Sequence, residues 1–154
     1  MLKQTLRQLT IVYYSTYIAA IASATAGYYI LKSGTTIDPL SSTGTLLNSL
    51  LIIFIIGSVP ASLAIFSKLA KKWAQLPNKD ERLAHYGKAG SIRLAVLGFA
   101  LSLGVLFFYI LGLKSMIFGA GIAAIGLFFC KPTENKIVLE LNLDDLETSE
   151  DVDD

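Results

Sequence analysis

Charged side chains are missing from four long stretches of this 154-residue chain. Residues 8–31, 39–67, 94–113 and 115–130 contain no Asp, Glu, Lys, Arg or His. About 20 helical residues cross a hydrocarbon core of about 30 Å, so the first three stretches are long enough and the fourth is short. A soluble bundle would show a polar stripe on each helix, and a β-barrel would alternate apolar and polar residues; neither pattern is present. These absences predict an all-α integral membrane protein with four transmembrane helices.

The groups that usually perform catalysis are also scarce. The chain has one cysteine, Cys130, and one histidine, His85, so an internal disulfide is impossible and no Cys/His metal cluster is expected. No glycine-rich phosphate-binding motif is present, and the charge-free stretches offer only tyrosines and Cys130 as ionisable groups. We therefore expect no enzyme activity, no cofactor and no metal. A membrane-bound enzyme would have to depend on a tyrosine pair such as Tyr13 and Tyr14.

The order of these stretches predicts two helical hairpins within residues 1–131. The spans are expected at about 9–31, 45–69, 92–113 and 115–129, and the first is read as an uncleaved span rather than a signal peptide. Pro60 lies within the second span and predicts a kink, with Ser58 and Ser62 available to satisfy the freed backbone groups. Between the second and third spans, Asn78 is a plausible N-cap for a short amphipathic helix that ends near Gly87.

Positive charge is concentrated between the second and third spans, in a segment that we call the basic island (residues 68–93). It holds seven of the thirteen Lys and Arg residues: Lys68, Lys71, Lys72, Lys79, Arg82, Lys88 and Arg93. Lys3 and Arg7 fall on the same side of the membrane, whereas the opposite loops carry only Lys32 and Lys114. Basic residues favour the cytoplasmic side, so both termini and the basic island are expected in the cytoplasm, as in a bacterial inner membrane.

The basic island is explained mainly as a determinant of topology. Its seven basic residues are candidate contacts for lipid headgroups or a partner protein. Nucleic acid is a poor alternative partner, because the patch lies against the membrane and the net charge is only +1.

Neutral polar residues within the spans are the candidates for a pathway. A possible intramembrane polar seam comprises Asn48, Ser58, Ser62 and Ser102, although such residues more often bond to other helices or to their own backbone. Small residues, including the pairs Ala22/Ala26 and Ala120/Ala124, allow helices to approach closely. That close approach would serve either packing within the chain or docking onto other membrane subunits.

The C-terminal segment, residues 132–154, differs in kind because it holds nine of the twelve acidic residues. Its "KIVLELNL" alternates like a strand that has no partner, and the segment as a whole is expected to be largely disordered. We also hypothesise that this acidic tail folds back onto the basic island and regulates its exposure.

These features lead to two alternative functions. The first is a non-enzymatic accessory or assembly subunit of a larger membrane complex; the alternative is a small oligomeric transporter or channel for a neutral solute. The expected partners are the lipid bilayer and other membrane subunits or further copies of the chain.

The layout of two hairpins, a basic cytoplasmic loop and a tight lysine-containing turn resembles that of ATP synthase accessory protein I over most of residues 1–131. That resemblance is one of topology: no motif carries it, and an acidic residue expected in the third span is absent.

Overall fold

The computed structural model describes residues 1–143, which form five α-helices. The helices are α1 (Leu2–Lys32), α2 (Ser42–Trp73), α3 (Lys79–Leu111), α4 (Lys114–Phe129) and α5 (Glu134–Leu141). The predicted all-helical fold is confirmed for this part of the chain.

Three of these helices, α1, α2 and α3, are long and apolar enough to cross a membrane. The count rises to four if α4 and α5, which meet at a bend of 78°, are taken together as one broken span. At about 1.5 Å per residue, helices of 31, 32 and 33 residues exceed the hydrocarbon core of about 30 Å. These are the features of a multi-span helical membrane protein.

The third helix is the centre of the bundle. It packs against α1, α2 and α4, whereas α1 packs chiefly along α3 alone. Leu94, Leu97 and Ala100 of α3 are almost completely buried, together with Ala123 and Leu127 of α4. Because α1 is held along one face, most of its apolar surface lies outside the core.

The start of α3 confirms one prediction and corrects another. The Asn78 side chain caps the helix by accepting a hydrogen bond of 3.0 Å from the Asp80 N–H. The helix does not end near Gly87, however, but runs without interruption to Leu111. Gly87 and Gly90 instead allow close packing, because a β-carbon at either position would lie within 3.0 Å of Thr5 or Leu9 on α1. The glycines therefore serve the α1–α3 contact rather than helix termination.

The second helix is continuous through Pro60. The Ser58 and Ser62 hydroxyls donate to the carbonyls of Ile55 (3.4 Å) and Val59 (2.9 Å). The carbonyl that Pro60 leaves without its usual donor belongs to Ile56, four residues earlier. Neither serine bonds to that carbonyl. The kink itself stays a prediction.

The part of the acidic tail that alternates like a strand is helical in the structure. Residues Glu134–Leu141 form α5, which ends at Asn142 in the left-handed conformation (φ 48°). Ile137 and Leu141, one helical turn apart, are buried with Leu143, whereas Leu139 is 71% exposed. The alternation was misleading because contacts with the bundle select a helical face. The rest of the predicted disordered tail, residues 144–154, lies outside the described residues.

Candidate functional site

Arg82 attaches the C-terminal end of α5 to the start of α3. Its Nη1 donates to the carbonyls of Leu141 (2.8 Å) and Asn142 (3.2 Å), and its Nε donates to the carbonyl of Leu76 (2.5 Å). Carbonyls at a helix C-terminus have no partner within the helix, and a cation there also complements the helix dipole. With only 6% of its surface exposed, Arg82 acts as a buried clamp.

A second contact joins α5 to α3 one helical turn further on. The Tyr86 hydroxyl donates a hydrogen bond of 2.6 Å to the Glu140 carboxylate. Lys136 lies 3.9 Å from the same carboxylate and donates to the Phe129 carbonyl at 2.5 Å. Tyr86 precedes the charge-free part of α3, and burial, reinforced by the hydrogen bond to Glu140, raises the pKa of its phenol. The phenol therefore stays protonated and keeps donating over the physiological range.

The folding of the tail onto the basic island thus involves its α5 segment and two buried side chains of α3. Arg82 and Tyr86 form the contacts, whereas Lys71 and Lys72 are exposed. Lys71 borders an open hollow of about 500 Å³ between the end of α2 and α5. Regulation of the island by the tail stays a hypothesis.

Arg93 is the second buried cation of the basic island. Only 8% of its surface is exposed, and its guanidinium carbon lies 3.6 Å from the centre of the Phe66 ring. Its Nε is buried without a hydrogen-bond partner, and none of the ion pairs found within residues 1–143 includes it. Phe66 also contacts Tyr86 edge to face, with ring centres 5.1 Å apart. The cation is therefore held by an aromatic cluster rather than by a carboxylate.

The seven basic residues predicted to meet headgroups or a partner divide into two groups. Arg82 and Arg93 are buried and Lys79 is half-buried, and of these Arg82 serves the contact with α5. The remaining four are exposed and stay available to a lipid surface: Lys68, Lys71, Lys72 and Lys88.

The residues of the predicted polar seam lie in three places. Ser115 at the start of α4 donates to the Asn48 side-chain oxygen at 3.2 Å. Ser58 and Ser62 line a groove between α2 and α3, whereas Ser102 lines a different groove, between α1 and α3. Ser58 and Ser62 therefore share one groove, but the four residues of the predicted seam do not come together.

The groove between α2 and α3 is almost entirely apolar and has a volume of about 370 Å³. Ile65, Phe66 and Leu69 form its α2 wall, and Arg93 is the charged residue among its lining. The groove between α1 and α3 has a volume of about 500 Å³ and is bordered by Ser15 and Ala19 of α1.

Cys130 and His85, the only cysteine and histidine of the sequence, lie in different surroundings. Cys130 is 1% exposed and lies in the apolar core, and His85 stacks on Trp73 with ring centres 5.9 Å apart. Within the described residues no group of three or more His, Cys, Asp or Glu side chains is placed to hold a metal ion.

Sequence reasoning did not foresee the clamp or the burial of Arg93. Positions 82, 86 and 93 are four and seven residues apart, a spacing that places them on one face of a continuous helix. That signal was hidden by the expectation that the helix would end near Gly87. Comparison with protein-family models, curated protein sequences and solved structures found no match to this chain.

Proposed function

We propose that this chain is a non-enzymatic accessory or assembly subunit of a larger membrane complex. Both termini and the basic island would face the cytoplasm, as in a bacterial inner membrane. The proposal depends mainly on one observation, the strip of small residues that α1 leaves uncovered.

The strip consists of Ser15, Ala19, Ala22 and Ala26, all exposed. Their spacing of four, three and four residues aligns them along one side of the helix. In membranes, helices associate through close packing at small residues rather than through a hydrophobic driving force. This side of α1 therefore suits the close approach of a partner helix.

The groove beside this strip extends the same surface. Ser15 and Ala19 border it on α1, and Gly98 and Ser102 border it on α3. A partner helix lying along the groove would contact two helices of this chain and could bond to the serine hydroxyls. Gly104 and Ala120, by contrast, are used for packing within the chain, because a β-carbon on Gly104 would lie 3.0 Å from that of Ala120.

The positions of the polar residues also favour a subunit over a transporter. Asn48, the pair Ser58 and Ser62, and Ser102 lie in separate places, which supports a packing role over a polar pathway through one chain. The proposed orientation is supported by the meeting of the first turns of α1, the basic island and α5 at one end of the bundle.

A matched pair of substitutions tests the proposal. Ala19→Leu would fill the α1–α3 groove, whereas Ala64→Leu adds the same bulk to an exposed alanine of α2 that borders none of the described cavities. The tagged chain would be isolated from its own membranes in mild detergent, and the stoichiometry of co-purifying subunits measured. We expect a fixed stoichiometry for the wild type and Ala64→Leu and its loss for Ala19→Leu. Isolation of the wild type without any partner in fixed ratio would refute the proposal.

A further inference from the structure

The groove between α2 and α3 combines two properties that bear on what it can bind. Its walls are apolar, and a nearly buried arginine lines it. A buried cation is costly unless it has a partner, because it has lost its hydration. Within residues 1–143 the guanidinium of Arg93 lies on the face of Phe66 and also interacts with the Tyr86 hydroxyl, whereas its Nε has no hydrogen-bond partner.

The position of Arg93 along α3 fits the edge of a bilayer. It is the last charged residue before the charge-free stretch 94–113, whose 20 residues match the thickness of a hydrocarbon core. An arginine at this depth meets the level of lipid headgroups. Because Nε is buried, a ligand would reach the guanidinium only at its terminal nitrogens.

The length of the groove fits one acyl chain. Because Arg93 stacks on Phe66, the part of the groove on the hydrocarbon side extends along α2 from Phe66 to Ser58, about 12 Å at 1.5 Å per residue. That length covers most of one leaflet, which is about half of a hydrocarbon core of about 30 Å. The groove opens on exposed Ala61, Ile65 and Ile92, so a lipid can enter it sideways from the bilayer.

We propose that this groove is a binding site for an anionic phospholipid, with an acyl chain along α2 and α3 and the phosphate at Arg93. A phosphate accepts paired hydrogen bonds from a guanidinium, and an anionic phospholipid keeps the net negative charge that a zwitterionic headgroup cancels with its own cation. Exposed Lys72, three residues after Leu69, continues the same face of α2 beyond the groove and adds positive charge at the headgroup level. The apolar walls favour a lipid over a free anion. The site does not depend on whether a partner subunit binds α1.

Native mass spectrometry of the full-length chain tests this site. The protein would be transferred from detergent into defined mixtures of phosphatidylglycerol and phosphatidylcholine with identical acyl chains, and a separate sample would receive inorganic phosphate. We expect about tenfold preferential retention of phosphatidylglycerol, and Arg93→Gln should remove about that factor, since one charge-assisted contact is lost.

A second variant separates the groove from the charge and remains informative if Arg93→Gln does not fold. Ala61→Trp would fill the groove while leaving Arg93 in place, and Ala64→Trp adds the same bulk to an exposed alanine outside the groove. Lipid retention should fall at least tenfold in Ala61→Trp and stay unchanged in Ala64→Trp. Equal retention of the two lipids by the wild type would overturn the proposal. So would inorganic phosphate that displaces the lipid, because the site would then serve a free anion.

Discussion

The contact between α5 and α3 predicts a large effect of a single substitution, Arg82→Gln. Arg82 makes three hydrogen bonds to backbone carbonyls, two of them at the C-terminal end of α5. A hydrogen bond from a charged group contributes about 1.5–3 kcal/mol, and such terms are not additive within one cluster. We therefore expect the opening of α5 to become easier by about 3 kcal/mol. An eight-residue helix is marginal by itself, so it should unfold when it detaches.

Hydrogen exchange measures this opening directly. A change of about 3 kcal/mol corresponds to more than a 100-fold rise in the exchange rate of amides that exchange through local opening. The assay would follow peptides covering residues 134–143 in detergent micelles by mass spectrometry. Labelling of the single thiol gives a second reading, because Cys130 is buried in the same apolar cluster as Ile137 and Leu141.

The matched control is Lys71→Gln, which removes the same charge from the basic island. Lys71 is exposed and borders the hollow beside α5, so it tests attraction between the island and the acidic tail without touching the clamp. We expect less than a threefold change for this variant, as is usual for an exposed charge. Unchanged exchange of residues 134–143 in Arg82→Gln would refute the clamp. An equally large effect of Lys71→Gln would show that general electrostatics holds the tail.

Two further predictions concern packing and orientation. Gly98→Ala places a β-carbon about 2.5 Å from the Thr16 β-carbon, so it should destabilise the α1–α3 contact by about 1–3 kcal/mol in detergent unfolding. Gly121→Ala is the control: nothing lies within 4 Å of its β-carbon, and it should stabilise α4 by up to about 1 kcal/mol. In a background without the native cysteine, Lys72→Cys should react with an impermeant maleimide only from the cytoplasmic side and Lys32→Cys only from the opposite side. Labelling of both from one side would contradict the orientation.

The main helices could be predicted from the sequence because segments that cross a membrane lack charged residues over a long stretch. A charge-free stretch of 20 or more residues has few alternatives, and residues 8–31, 39–67 and 94–113 coincide with the apolar parts of α1, α2 and α3. The continuity of α3 was missed because glycine was taken as a stop signal at Gly87. Which role a helical glycine plays depends on the neighbouring helix, and the sequence does not give that neighbour.

The remaining features depend on contacts between distant parts of the chain. Residues 136–143 alternate like a strand, yet their conformation is set by Arg82 and Tyr86, which lie more than 50 positions earlier. The predicted polar seam depended on the rotation of each helix about its axis, which composition alone does not determine. The burial of Arg93 could not be predicted either, because it goes with stacking on Phe66 of another helix, α2.

The measurement that tests the central claim most directly is the mass of the intact assembly. The wild-type chain would be extracted from its own membranes in mild detergent, purified through a C-terminal tag and weighed by native mass spectrometry. The account predicts a defined hetero-complex that contains this chain in a fixed ratio to larger membrane subunits. A chain that appears only alone, or only with further copies of itself, would contradict the accessory role and direct attention to transport.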